Sequence, residues 1–226
     1  MISDIFEAFK HLLWPTRCAS CDALLEAPDK CLCRECSDSV LNPPDVTAPE
    51  NIDHALALFV YEGAIQSMIS KWKYHEDFSA QNAVLSMISL RMEQLRGFLQ
   101  DGACLVPVPP HPRRLRERGF DPVWTFGSRL HRALESAQIR TEFRDDVLSR
   151  TRHTAHQASL SHDERLHNLD GAFSVKPSFH CDYVVLLDDV MTTGATASVC
   201  AQTLREAGVS HVDFIALART LDSGKG

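Results

Sequence analysis

Tyr183-Val184-Val185-Leu186-Leu187-Asp188-Asp189-Val190-Met191-Thr192-Thr193-Gly194-Ala195-Thr196 is the stretch that decides the fold. It opens as a run of aliphatic and β-branched residues, the pattern of a parallel strand buried on both faces. Two carboxylates stand at the C-terminal end of that run. A turn of small residues follows, then a helical pattern from Thr196 to Ala207 that Gly208 closes. A second apolar run spans Val212 to Leu217. The unit reads β-turn-α-β, and in sheets built this way ligands sit outside the carboxyl ends of the strands.

The turn has its own chemistry. Thr192, Thr193, Gly194, Ala195 and Thr196 are small, and their backbone N–H groups can converge at a helix N-terminus, which suits a phosphate. The acidic pair upstream cannot hold phosphate, but carboxylates accept hydrogen bonds from vicinal hydroxyls. One phosphate plus two such hydroxyls describes a ribose 5-phosphate. A nucleotide P-loop would need a Gly-Lys-Ser/Thr ending, and a dinucleotide fingerprint would need three spaced glycines where only Gly194 stands. The purely structural alternative is a core strand running into an acidic helix cap.

At 226 residues, 44% hydrophobic and 23% charged, the chain can bury a full core and has room for a small second domain. Its net charge of −7 argues against bulk nucleic-acid affinity, though not against a local basic patch. No apolar run approaches the ~18 residues of a membrane span. Asp4 and Glu7 interrupt the N-terminus and no basic leader precedes it, so the expected location is cytoplasmic. In that setting the chain's eight cysteines point to metal more than to disulfides.

Ile2, Ile5, Phe6, Phe9, Leu12 and Leu13 recur at helical spacing before Pro15, a short amphipathic helix that either docks on its own domain or meets a partner. Cys18-Ala-Ser-Cys21 and Cys33-Arg-Glu-Cys36 then form two CxxC knuckles, the spacing that chelates one tetrahedral zinc. Four thiolates leave no open position, so such a site is structural, and in so small a module the metal supplies much of the folding energy. Cys31 offers an alternative register to Cys33. Three prolines within Asn42–Pro49 read as a linker, which puts a domain boundary near residue 50: residues 1–49 as the zinc module, 50–226 as the large domain.

In the large domain, Ile52–Tyr61 reads as a strand, Ala64–Lys73 as a helix start, and Ser79–Leu99 as one long helix broken at Gly102. Cys104–Pro110 is a strand ending in prolines, where a cis bond is an option. Arg113, Arg114, Arg116 and Arg118 follow at once. A departing pyrophosphate needs such a positive field; a solvated helix face and a nucleic-acid contact are the other readings. Asp121–Ala137 is a helix with Pro122 in its first turn, and Phe143–Leu148 and Gly171–Val175 are strands. Between them Arg150–Asn168 is polar and lacks an apolar face, the kind of long loop that is usually functional. Its His153, His156, His162 and His167 read as solvated rather than as ligands.

Val184–Thr196 resembles, without a gap, the thirteen-residue phosphoribosyl pyrophosphate (PRPP) motif of type I phosphoribosyltransferases. The whole chain resembles the ComF family, which includes the GntX-type proteins. The matching pieces are Cys18 to Cys36, Tyr61-Glu-Gly63, Lys73-Tyr74, Val106-Pro-Val-Pro109, Arg118-Gly-Phe120, Arg150-x-Arg152-x-Thr154-x-x-Gln157, Arg165-x-x-Asn168, the PRPP motif and Ala218-Arg-Thr220. Asp121-Pro122 replaces the Asn-Gln usual after Arg-Gly-Phe. The resemblance implies an α/β, type I phosphoribosyltransferase fold with a mainly parallel sheet flanked by helices and a small N-terminal four-cysteine zinc module. By the same likeness Asp188 and Asp189 are the catalytic pair, and Thr192–Thr196 hold the 5-phosphate of Mg²⁺-bound PRPP. Pro107, Val108 and Pro109 form the pyrophosphate loop with Arg118, and a catalytic lid carries Arg150 and Arg152. Competence and DNA uptake are the associated process, and a non-catalytic adaptor for single-stranded DNA and a helicase-like partner is the rival function.

Overall fold

The computed structural model describes residues 16–25, 27, 30–40, 42–151 and 171–221. Its centre is a five-stranded sheet of order β1-β7-β6-β2-β3, built from β1 (Ala55–Val60), β2 (Ala103–Pro107), β3 (Thr141–Phe143), β6 (Tyr183–Met191) and β7 (His211–Arg219). Every pairing in it is parallel. Two short strands, β4 (Leu148–Arg150) and β5 (Phe173–Val175), form a separate antiparallel pair.

Side chains alternate across a strand, so each one feeds two cores. Leu105, Val185, Leu187, Ile215 and Leu217 pack on one face with Met68, Trp72, Val84, Phe126 and Leu130. Cys104, Val106, Val184, Leu186, Phe214 and Ala216 pack on the other with Phe173, Val199, Cys200 and Leu204. Both faces of the central strands are buried, which is why their sequence runs apolar without alternation. The first face is covered by α2 (Gly63–His75), α3 (Phe78–Ser86) and α6 (Pro122–Ser136), after the small α1 (Arg34–Asp38) of the cysteine segment. The second is covered by α7 (Ala195–Glu206) and the β4–β5 pair.

Several expectations need correction. The long helix over Ser79–Leu99 is three pieces: α3, a 3₁₀ turn at Met87–Arg91, and α4 (Met92–Phe98). Ser86 and Ser89 donate their hydroxyls to the carbonyls of Ala83 and Ser86 at 2.7 and 2.8 Å, and such back-bonding tightens and bends a helix. Arg91 Nε also reaches the Leu58 carbonyl at 3.0 Å, pinning the break to β1. The strand expected at Phe143–Leu148 splits into the end of β3 and the start of β4. Between them Arg144 pairs with Glu142 and Asp146, and Lys176 with Asp146, a charged corner that cannot be buried in a continuous strand. No cis peptide bond occurs among the described residues.

The cysteine segment rests on α2. Ser67 Oγ donates to the Ser20 carbonyl at 2.9 Å, Lys71 pairs with Asp22 at 2.7 Å, and Cys18, Ala19, Leu25 and Leu32 join the first core. The proline-rich stretch runs along the second core through Val46 and Ala48, with Arg219 Nη1 donating to the Asp45 carbonyl at 2.7 Å. The amphipathic pattern over Ile2–Leu13 lies outside the described residues.

Candidate functional site

The acidic pair stands where β6 ends, flanked by β7 and β2, in the crevice that parallel sheets offer to ligands. Pro107 is in register with Leu187, and the Val108 N–H donates to the Leu187 carbonyl at 2.9 Å, so the Val108–Pro109 loop emerges beside Asp188. The two acids have different surroundings. By strand alternation Asp189 shares a face with Val185 and Leu187, where Lys73 at the end of α2 meets it at 2.7 Å. Both side chains of that pair are nearly buried, at 10% and 13% exposure. Asp188 shares the other face with Val184 and Leu186, on the side of Cys200 and Arg150. Burial, with the Asp189 charge adding to it, pushes the Asp188 carboxyl up to about 7, against the opposing pull of Lys73 and the Asp189 amide. The Asp189 N–H donates to Asp188 Oδ1 at 2.8 Å.

Asp121 is the third acid of the cluster. It caps α6 by accepting the Val123 N–H at 2.9 Å, and burial raises its carboxyl, partly offset by backbone amides and reinforced by Asp189. The basic helix α5 (Pro112–Arg118) comes before it in the chain. Its arginines divide: Arg113 is taken by Glu117 at 2.7 Å, while Arg118 lies over the Tyr74 ring at 5.0 Å. Arg114 and Arg118 line a 220 Å³ pocket with Lys73, Tyr74, Glu76 and Glu117. A larger groove of 470 Å³, between the cysteine segment and α3, contains none of the residues expected to bind substrate. Arg150 ends β4, half-buried over the Phe173 ring at 5.2 Å, and burial lowers its guanidinium from the ordinary value.

The turn 192–196 is open in the sense that matters for an anion. Gly194 takes φ +74°, the left-handed conformation that reverses the chain into α7. Thr192 and Thr193 are exposed. Among the described residues the N–H groups of Thr192, Thr193, Gly194 and Thr196 have no hydrogen-bond partner; that of Ala195 has only a 3.4 Å approach to Thr193 Oγ1. These are the orphan donors of a helix start. Pro49 packs on the back of the turn: a Cβ on Gly194 would come within 2.5 Å of Pro49 Cγ.

At the other end of the chain, Cys18, Cys21, Cys33 and Cys36 bring their four Sγ atoms within 4.8 Å of one another, with Cys21 and Cys33 at 3.7 Å. Thiolates around a tetrahedral ion with ~2.3 Å bonds stand ~3.8 Å apart, so the set fits one such ion. Burial opposes a charge on Cys18, but backbone amides of Cys21, Cys33 and Ser20 outweigh it and bring that thiol down to about 6. Cys31 is not in the set; it uses its carbonyl to accept the Ala19 N–H at 2.9 Å. Among the described residues no helix is long and apolar enough to cross a membrane.

No profile of a known protein family matches the chain. Individual relatives do. Competence protein F of Haemophilus influenzae is 27% identical over 164 residues, 70% of this chain and 69% of that protein. Competence protein ComFC of Streptococcus pneumoniae is 25% identical over 217 residues, 87% of this chain and 91% of its own length. The chain is similar to these ComF-type competence proteins. DNA utilization protein YhgH of Escherichia coli K12 is 33% identical over 150 residues, where the match spans 64% of each chain, just under two thirds of that relative's length. Among solved structures, the hypoxanthine phosphoribosyltransferase of Trypanosoma cruzi aligns at a TM-score of 0.41 with 11% identity over 63% of this chain and 68% of that one. The enzyme of Staphylococcus aureus aligns at 0.40 with 13% identity, over 63% and 66%. Likeness that loose adds nothing to the geometry above.

The structure brings part of the residues singled out from the sequence together. Asp188, Asp189, Thr192–Thr196, Pro107–Pro109 and Arg118 all belong to the carboxyl-end crevice or its rim. Arg150 approaches from the far side of the sheet, and Arg152, with the rest of residues 152–170, lies outside the described residues. Two members went unassigned. Lys73 was visible only as half of Lys73-Tyr74, and a lysine at the end of an amphipathic helix carries no mark of its carboxylate partner. Asp121 stood out as a departure from the usual Asn-Gln, and it proves to be the α6 cap.

Proposed function

We propose that the chain binds PRPP, or a closely related phosphorylated ribose, at the carboxyl ends of β6 and β2, and that it is built as a phosphoribosyltransferase. The single observation that carries this reading is the open run of amides at Thr192–Thr196 directly after the acidic pair. The 5-phosphate takes those amides and the positive end of α7. Asp188 accepts hydrogen bonds from the ribose hydroxyls, while Asp189, held by Lys73, sets the charge of the crevice floor. Magnesium, carried mainly by substrate oxygens as is usual for this ion, supplies charge neutralisation at the pyrophosphate. Arg114 and Arg118, which line the 220 Å³ pocket beside Lys73, stabilise the leaving group.

The four cysteines hold one structural zinc ion, the expected guest of an all-thiolate tetrahedron. The names of the relatives say competence and DNA utilization, and a role in DNA uptake is our reading of them. A second reading, an adaptor for single-stranded DNA and a helicase-like partner, has one feature in its favour. Tyr74, exposed and stacked under Arg118, offers a base-stacking surface beside cations.

Calorimetric titration with Mg²⁺-PRPP separates the two. The transferase reading expects saturable binding in the wild type, weakened at least about tenfold in Asp188→Asn. Binding that is unchanged in the variant, or absent while salt-sensitive binding to single-stranded DNA is present, points to the adaptor.

A further inference from the structure

At the opposite end of the sheet from the crevice, Asp213 is 2% exposed and carries no lysine or arginine among its described ion-pair partners. Its Oδ2 accepts the Tyr183 hydroxyl at 2.9 Å. Its Oδ1 accepts the His54 backbone N–H at 3.1 Å and lies 3.1 Å from His54 Nδ1 and 3.0 Å from His211 Nε2. A carboxylate buried this deeply needs a compensating positive charge. No lysine or arginine among its described ion-pair partners supplies it.

The arrangement around His211 indicates what does. Its Nδ1 faces Asp53 Oδ2 at 3.4 Å, and Asp53 is fixed by Arg205 at 2.7 Å and by the Val212 N–H at 2.8 Å. A neutral imidazole has one N–H. Turned to Asp53, that N–H leaves the Nε2 lone pair free for a cation that Asp213 also holds; turned to Asp213, it makes the 3.0 Å contact a hydrogen bond. A carboxylate on the outer nitrogen is also the usual way a protein orients a metal-binding histidine. The donor atoms His54 Nδ1, His211 Nε2 and Asp213 Oδ1 lie within 4.8 Å of one another. The 3.0 and 3.1 Å edges match ligands at ~2.1 Å set at right angles around one ion. His54, with its side chain 69% exposed, leaves the remaining positions open to water.

We propose that His54, His211 and Asp213 form a second metal site, taking a divalent transition cation such as Zn²⁺, Co²⁺ or Ni²⁺. Imidazole and carboxylate together select that class over Mg²⁺ or Ca²⁺. The ion joins His54, just before β1, to the start of β7 and neutralises the buried carboxylate. The site is independent of the PRPP reading, since it uses none of the crevice residues.

The test starts from full-length protein whose cysteine site has been filled with zinc and freed of excess metal. Co²⁺ is then titrated while visible absorption and melting temperature are followed. The expected result is one further Co²⁺ per chain, with the weak visible bands of nitrogen and oxygen ligands and a rise in Tm. Both effects should vanish in His54→Ala/His211→Ala. Asp53→Asn, which touches no metal, should weaken Co²⁺ binding by roughly 10–100-fold. Lack of uptake by the wild type overturns the proposal. So does equal uptake by the double variant, or uptake that brings intense thiolate-to-cobalt bands, since the ion would then be at the cysteines.

Discussion

Lys73 and Asp189 meet at 2.7 Å in a place that is nearly dry, and removing one partner strands the other's charge. Lys73→Met should therefore cost about 3–5 kcal/mol in chemical denaturation, and Lys73→Met/Asp189→Asn should recover part of it. Asp188 behaves oppositely. Its carboxyl is raised to about 7, above the ordinary carboxylate value of ~3.9, so the folded state keeps a proton that the unfolded chain releases. The resulting stability is complete below pH ~4 and is lost as pH rises toward 7. Asp188→Asn removes that loss and should be more stable than wild type by roughly 1–3 kcal/mol at pH 8, with little difference near pH 4. A melting series across pH checks this. A variant that gains stability while losing ligand affinity is the signature of a charge kept for binding and not for folding. The sequence announced both acids through their place after an apolar run. It could not announce their unlike environments, because those come from Lys73, Asp121 and Cys200, on elements scattered along the chain.

Among the elements, β6, the 192–196 turn and α7 were the most legible, since an unbroken apolar run, a threonine-glycine bend and a closing Gly208 are all local signals. The 79–99 segment was least so: its apolar spacing is helical throughout, and the break arises from serine hydroxyls returning to the backbone and from Arg91 reaching β1. The turn's geometry yields a sharp prediction. Gly194→Ala puts a side chain on a residue at φ +74° and drives it into Pro49, so it should destabilise the protein by about 1–3 kcal/mol. Because the shift moves the amides, PRPP binding should weaken more than at an exposed position such as Thr192→Ser. Gly127 in α6 is a comparable close contact: a Cβ there would lie 2.6 Å from Phe143 Cε2 and 2.9 Å from Leu187 Cδ1, so Gly127→Ala should loosen α6 from β3 and β6 from within the core, away from the 192–196 amides. Thermal melts of the two glycine variants beside PRPP titrations separate fold effects from site effects.

Across the whole molecule, the cysteine segment and the sheet share one core, so metal at the cysteines and order at α2 are linked. Cys33→Ser should lower bound zinc well below one per chain and reduce the melting temperature. Cys31→Ser should leave the metal content unchanged, because Cys31 stands outside the thiol set. Metal analysis of the two purified variants decides between the registers that sequence spacing left open. The division at residue 50 is retained as a proposal: the proline-rich stretch is extended, yet Val46 and Ala48 pack on the second core and Pro49 backs the 192–196 turn. Through Pro49 the stretch after the cysteine segment reaches the proposed phosphate cradle itself. The central claim is that cradle, and its most direct test is a crystal structure after soaking with Mg²⁺-PRPP. The account predicts the 5-phosphate within hydrogen-bond distance of the Thr193–Thr196 amides and the ribose hydroxyls at Asp188. A ligand that leaves those amides untouched, or a turn whose amides are closed off by neighbouring side chains, would contradict it.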